Sequence, residues 1–219
     1  MVGDSTATYT AAGLVSWAVD HPDSAQVTDA SLAGCGFVRD GEVPTDGAID
    51  WASQCAVMLD DRLPVLLSEL QPDVVMLMVT MRDVEDRRWN DAEGVISPFD
   101  ERFRQRLFDD YLRLADELAA AGVGRIGWVL APHPIAPFQG EQRKMLDPAR
   151  YEVQFDVIAE IASRRPELVH VLDLRALLEQ MGGSTDGSLR PDGLHWSETA
   201  TRWVSDNYLA GSLLAVAVS

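Results

Sequence analysis

The chain alternates between short unbroken apolar runs and longer stretches in which apolar residues return every three or four positions. The runs at 73–80 (DVVMLMVT), 123–132 (VGRIGWVLAP) and 168–174 (LVHVLDL) read as strands buried on both faces, the pattern of a parallel sheet. Segments of helical period lie between them. Leu14, Trp17 and Ala18 recur at helical spacing behind a Gly3-Asp4-Ser5 triplet, so a helix is expected to start just behind Ser5. Residues 51–70 carry the same period, with Pro64 marking a break or a fresh helix start. The stretch FDERFRQRLFDDYLRLADELAAAG is clearly amphipathic and should end at Gly122. Further helices are expected from Pro148 to Arg164, over RALLEQM, and from Ser197 onward, the last carrying Trp203, Tyr208 and Leu209 on one side. AQVTDAS at 25–31 reads as a short strand leading into the Gly-rich LAGCGF.

Strands alternating with helices predict an α/β fold, a three-layer α/β/α sandwich around a central parallel sheet. No repeat, low-complexity tract or linker interrupts the pattern, so residues 1–219 read as a single domain, long enough to bury a full core without staples. Only Met1 and Val2 precede Gly3, whereas an ordinary strand has about five residues. The first strand is therefore expected to be cut short, and the chain to be a domain from a longer protein.

Composition narrows the function. Apolar residues make up 47% and charged residues 24%, a globular balance, but Asp and Glu number 35 against 18 Lys and Arg, a net charge of −17. That excess argues against nucleic acid and anionic lipid as partners, since both call for a basic surface. No apolar run is long enough for a transmembrane helix, and the first residues lack the basic and apolar regions of a signal peptide, so no direct membrane insertion by this segment is expected. Cys35 and Cys55 flank a Gly-, Pro- and Asp-rich stretch. Their spacing leaves two alternatives open, buried thiols or one disulfide, and the disulfide would imply an oxidising compartment.

In an open parallel sheet, sites gather at the carboxyl ends of the strands. The residues expected there are Gly3-Asp4-Ser5, Gly34-Cys35-Gly36, Thr80 to Asp83, His133, and Asp192-Gly193-Leu194-His195. An Asp three residues before a His, across a glycine, can fold back onto the imidazole Nδ1–H. That leaves Nε2 to take a proton from a serine hydroxyl, which is a poor nucleophile without such a base. A lone Gly-Asp-Ser is a turn or helix cap in most proteins, and a lone Asp-x-x-His often only ends a loop. One after the first strand and one before the last helix make catalysis the better reading. His21 is expected at a helix end, His170 in a strand, and His133 in a loop. No paired ligand spacing suggests a metal, and no cofactor is called for.

In these motifs the chain resembles the SGNH hydrolase (GDSL-like esterase) superfamily over essentially its whole length. The first block is Gly3-Asp4-Ser5, the second is best matched by Gly34, and the last is Asp192-Gly193-Leu194-His195. The resemblance implies an SGNH-type, flavodoxin-like architecture and a serine ester hydrolase. Ser5 would be nucleophile, His195 base and Asp192 its orienting acid, with the backbone N–H groups of Ser5 and Gly34 holding the oxyanion. More narrowly, SLAGCGFVRDG, PDVVMLMVTMRDVEDRRW and RPDGLHWSETATRWVSDNYL are similar to SGNH domains fused behind membrane acyltransferase-3 domains in actinobacterial cell-envelope proteins. That likeness implies an extracytoplasmic domain, an O-acylated glycan or small ester as substrate, acyl hydrolysis or transfer, and a membrane acyltransferase domain as partner in the parent chain. It also favours the Cys35–Cys55 disulfide. A cytoplasmic location would follow instead if Met1 were the true start.

The third block departs from the family pattern. Thr80-Met81-Arg82-Asp83 stands where Gly-x-Asn-Asp is expected, so Arg82 replaces an oxyanion donor. Arg82 either supplies a charged donor in its place or turns away to Asp83, Glu85 or Asp86. An Asp86–Arg87 ion pair is expected to hold this loop. The departure motivates a rival reading as a catalytically silent glycan-binding domain. A nucleotide- or phosphate-binding flavodoxin-like domain is a second rival, disfavoured by the acidic charge and the lack of a nearby Lys.

Overall fold

The computed structural model describes residues 1–44, 51–136 and 141–219. Parts of two expected loops, residues 45–50 and 137–140, lie outside the described residues. Four parallel strands, β1 (Val2–Gly3), β2 (Val74–Met78), β3 (Arg125–Leu130) and β4 (Val169–Asp173), form one sheet in the order β1-β2-β3-β4. The registers Val2↔Leu77, Leu77↔Trp128 and Trp128↔Val171 align the carboxyl ends of all four strands.

The apolar runs are unbroken because both faces of the sheet are covered. On β2, Val75 and Leu77 enter one core while Met76 and Met78 enter the other; on β3, Ile126, Trp128 and Leu130 part from Val129 in the same way. The first face packs under α3 (Leu63–Leu70), α4 (Glu101–Ala120) and α5 (Pro148–Arg164), through residues such as Leu67, Leu107 and Ile158. The second packs under α1 (Ser5–Asp20), α6 (Leu174–Gln180) and the terminal helices α7 (Glu198–Val204) and α8 (Ala210–Ala217), through Leu14, Leu178, Val204 and Val216. The result is the three-layer α/β/α sandwich that the alternation of elements predicts. Pro64 lies just behind a π-helical turn (Val57–Arg62) that joins α3 to α2 (Trp51–Ala56), so the expected break is a change of helical winding within a continuous helical stretch. Among the described residues, no helix is long and apolar enough to cross a membrane.

Three expectations need correction. AQVTDAS is not a regular strand: Asp29 accepts the hydroxyl of Ser31 and its backbone N–H, the one that faces away from β1. The segment still runs along the open edge of β1, with Ala30 N donating to Met1 O at 2.8 Å and Leu32 N to Gly3 O at 2.9 Å. Trp203 does not share a side with Leu209, because the helix passes into a π-helical turn (Ser205–Leu209) between them and the α-helical period is broken. Trp203 is exposed, and Val204 takes the buried place. Nor do Asp86 and Arg87 pair with each other. Asp86 binds Arg150 and Lys144, while Arg87 lies 3.8 Å from Asp83 and donates to the carbonyls of Asp40 and Arg82. Cys35 and Cys55, left open above, are joined as a disulfide.

Candidate active site

β1 delivers the Gly3-Asp4-Ser5 triplet to the carboxyl edge of the sheet. Asp4 caps α1, one carboxylate oxygen accepting Thr6 N at 2.9 Å and Thr6 Oγ1 at 2.6 Å. The other oxygen accepts Thr80 N at 3.0 Å and Thr80 Oγ1 at 3.1 Å, which ties the start of α1 to the end of β2. Burial pushes this carboxyl up, against the pull of the Thr6 and Thr80 hydrogen bonds. Ser5 is the first residue of α1, so its backbone N–H belongs to the turn that a helix leaves without internal partners.

Ser5 meets His195 across 190 residues of sequence, with Oγ and Nε2 2.7 Å apart. His195 Nδ1 lies 2.6 Å from Asp192 Oδ2. The remaining Asp192 oxygen accepts Leu194 N at 2.9 Å and His195 N at 2.7 Å. Burial alone would raise the Asp192 carboxyl, but the His195 ring and these two N–H groups outweigh it and hold the group below the usual carboxylate range. The turn that folds the carboxylate back requires Gly193 at φ +86°, a conformation open to glycine and strained for other residues.

The loop is braced from beneath by Arg190, a residue the sequence reading passed over. Its guanidinium is buried and donates to the carbonyls of His133 and Ser184. Burial lowers its pKa to about 10 against the opposing charge of Asp192. Ile135 N also donates to Gly193 O at 2.8 Å. The only sequence signal for Arg190 is its place two residues before Asp192. His133 reaches the same loop through its carbonyl; its ring stacks on Phe155 and lies 3.2 Å from Glu152.

Gly34 lies on the loop that runs past the end of β1. Its φ is +79°, and a Cβ there would come within 2.7 Å of the Trp51 ring, so only glycine lets the chain pass. The Cys35–Cys55 bridge ties this loop to α2. From the other side, buried Asp83 accepts Phe37 N at 2.8 Å and Val38 N at 3.1 Å, and also Tyr111 OH at 2.9 Å. Arg82 takes one of the alternatives left open above: its Nη1 donates to Glu85 at 3.1 Å within a short 3-10 turn. Tyr9, also unsingled by the sequence reading, stacks its ring on His195 with centroids 4.5 Å apart. A separate apolar cavity of about 390 Å³, lined by Leu63, Leu66, Leu70, Val74, Leu213 and Leu214, opens at the opposite end of the strands.

No protein-family model matches the chain, and no curated protein does. Solved structures do. An acetyl xylan esterase, AlAXEase, superposes with a TM-score of 0.59 at 17% identity, covering 94% of this chain and 95% of its own. The chain has the fold of esterases and lipases. A lipase/acylhydrolase from Enterococcus faecalis gives a TM-score of 0.59 at 14% identity, over 94% of this chain and 90% of its own. Est24, a carbohydrate acetylesterase from Sinorhizobium meliloti, gives 0.56 at 16%, over 97% and 98%. At such identities the likeness is one of architecture, so the chemistry must be argued from the side chains.

Proposed function

We propose that this esterase-fold chain is a serine ester hydrolase of the SGNH type that removes acyl groups from O-acylated carbohydrate. The observation that carries the reading is the continuous chain Ser5 Oγ, His195 Nε2, His195 Nδ1, Asp192 Oδ2, with links of 2.7 and 2.6 Å. In the proposed reaction Ser5 Oγ attacks the ester carbonyl carbon as its proton passes to His195 Nε2, and the carbonyl π electrons move onto oxygen. The backbone N–H groups of Ser5 and Gly34 hold that oxyanion. His195 then gives the proton to the departing sugar oxygen as the acyl C–O bond breaks. Water, deprotonated by the same imidazole, releases the acid and restores Ser5. Asp192 keeps the imidazole in the right tautomer and balances its transient charge.

Arg82 as a substitute oxyanion donor is one of the two alternatives, and the pairing with Glu85 favours the other. With its guanidinium engaged by Glu85, two backbone donors carry the charge in this proposal. One donor fewer costs on the order of 10²–10³ in rate, so a modest kcat is expected. Carbohydrate as the acyl carrier is supported by the acetyl xylan esterase and carbohydrate acetylesterase among the structural neighbours. The disulfide is consistent with an extracytoplasmic setting. There, a sugar hydroxyl replacing water would turn hydrolysis into O-acyl transfer onto an envelope polymer. In that setting the chain would be one domain of a longer membrane acyltransferase.

A fluorophosphonate probe and an aryl acetate assay test the proposal. The probe should label the wild-type protein at Ser5 and leave Ser5→Ala unlabelled, and Ser5→Ala and His195→Ala should each lose about 10³-fold or more in kcat. Activity that survives Ser5→Ala would remove the mechanism. Glycan binding without labelling or turnover would favour a silent binding domain.

A further inference from the structure

The triad proposed above leaves one contact to the base unexplained. Tyr9 follows Ser5 by four residues in α1 and therefore projects from the same helix face, one turn on. Its ring lies over the His195 imidazole at 4.5 Å between centroids, with 28° between the planes. Both partners are pinned close by. Tyr9 O accepts Thr201 Oγ1 at 2.6 Å, and Thr10 Oγ1 accepts Trp196 Nε1 at 3.1 Å. The serine helix and the chain just beyond His195 are thus held together on either side of the stacked rings.

The in-plane partners of the imidazole are Ser5 at Nε2 and Asp192 at Nδ1. Two bonds at roughly opposite corners of a flat ring fix its position along the line between them, but resist tilting about that line only weakly. A surface lying against the ring face resists that tilt directly. An aromatic face also carries negative charge density, which favours a cation stacked on it.

We propose that Tyr9 is a positioning residue of the reaction. Its ring holds the His195 imidazole in the plane that aims Nε2 at Ser5 Oγ, and its π face stabilises the imidazolium formed when the Ser5 proton arrives. The role belongs to the ring and not to the hydroxyl.

The test compares Tyr9→Phe, Tyr9→Leu and Tyr9→Ala with the wild-type protein, using p-nitrophenyl acetate as substrate. Tyr9→Phe keeps the ring and should retain at least half of kcat. Tyr9→Leu covers the imidazole without a π face and should lose about 3- to 30-fold in kcat, with KM within about twofold and Tm nearly unchanged. Tyr9→Ala should lose at least as much. In proton NMR, the low-field His195 Nδ1–H resonance should persist in Tyr9→Phe and broaden in Tyr9→Leu.

Wild-type kcat in Tyr9→Leu overturns the proposal. So does a defect confined to KM, which would place the ring against substrate, or an equal loss in Tyr9→Phe, which would put the role on the hydroxyl. A loss that merely tracks Tm makes the contact structural and overturns it too. If the wild-type protein neither turns over nor labels at Ser5, the esterase reading fails on its own account. The His195 resonance in Tyr9→Leu then still decides whether Tyr9 positions the ring.

Discussion

The loops at the carboxyl ends of β2 and before α7 each offer an aspartate, and the two are put to opposite uses. Asp83 is completely buried and spends its oxygens on Phe37 N, Val38 N and Tyr111 OH, with Arg87 3.8 Å away. Gln154 in turn donates to Tyr111 OH at 2.7 Å, so a chain of fixed donors runs from α5 to the loop carrying Gly34. Asp192 has a side chain 52% exposed; one of its oxygens is committed to backbone N–H groups and the other to an imidazole. A carboxylate saturated by buried backbone donors makes a good joint between segments, because every lost bond would leave a polar group stranded in the core. A carboxylate at the surface with one oxygen on a histidine can respond to a proton moving on the far side of that ring. The residue type is the same, and the partners decide the role.

The sharpest way to break this contrast is to substitute both positions alike. Asp192→Asn should lose about 10²–10⁴-fold in kcat, because an amide offers Nδ1 a donor and favours the wrong imidazole tautomer. Its unfolding free energy in urea should stay within about 1 kcal/mol of wild type, as expected for an exposed pair. Asp83→Asn should do the reverse in character. With its amide oxygen in the Oδ1 place it still accepts Phe37 N and Val38 N, but its NH2 then faces Phe37 N and the Tyr111 hydroxyl donor to donor, and about 3 kcal/mol of stability should be lost. A stable, active Asp83→Asn protein would show that the Gly34 loop does not depend on this joint.

The second clamp on that loop is covalent. The disulfide joins residues separated by 20 in sequence, and closing a loop of that size is worth about 3 kcal/mol in the chain-entropy account. The Cys35→Ser/Cys55→Ser protein should therefore unfold at lower urea by about that amount. It should also lose kcat by more than KM changes if, as proposed, the Gly34 N–H is an oxyanion donor that this loop holds in place. Equal kcat with and without the bridge would separate loop clamping from catalysis and leave Asp83 as the sole anchor of consequence.

How far the chain could be read in advance follows the range of the interactions. The three long strands and helix α5 were legible because burial on both faces, or on one helical stripe, writes itself into local period. The Asp192–His195 unit was legible because its bond spans three residues. The 25–31 segment misled only in part: it does run along the open edge of β1 through the N–H groups of Ala30 and Leu32, but a two-residue β1 is too short to build a regular ladder with it. Asp86 and Arg87 misled in a different way. Neighbours in sequence point apart here, and each finds charge elsewhere: Asp86 on Arg150 of the distant α5, and Arg87 four residues back at Asp83. Tyr9 was invisible because its meaning arises only when α1 and the His195 loop meet. Arg82 could not be decided, because several acids stood within its reach and packing selected Glu85.

A third aspartate tests the rule at its middle. Asp110 on α4 is half-buried, and its Oδ2 accepts Arg39 N at 2.8 Å. Burial pushes its carboxyl up to about 6, against the pull of that N–H, and the nearby Asp83 charge adds to the rise. It is buried more than Asp192 and partnered less than Asp83, so ionisation costs it something in the folded state. A carboxyl raised on folding contributes stability below its unfolded value near 4, and that contribution is lost as pH climbs through about 6. Asp110→Asn keeps an acceptor for Arg39 N but never ionises. It should match the wild-type protein within experimental scatter near pH 4 and exceed it by about 1–2 kcal/mol at pH 8, once partial exposure is allowed for. Urea titrations of both proteins across that range measure the difference. If the gap does not open between about pH 4 and 6, solvent reaches Asp110 well enough to replace the missing donors. Burial without partners would then not be what distinguishes it from Asp83.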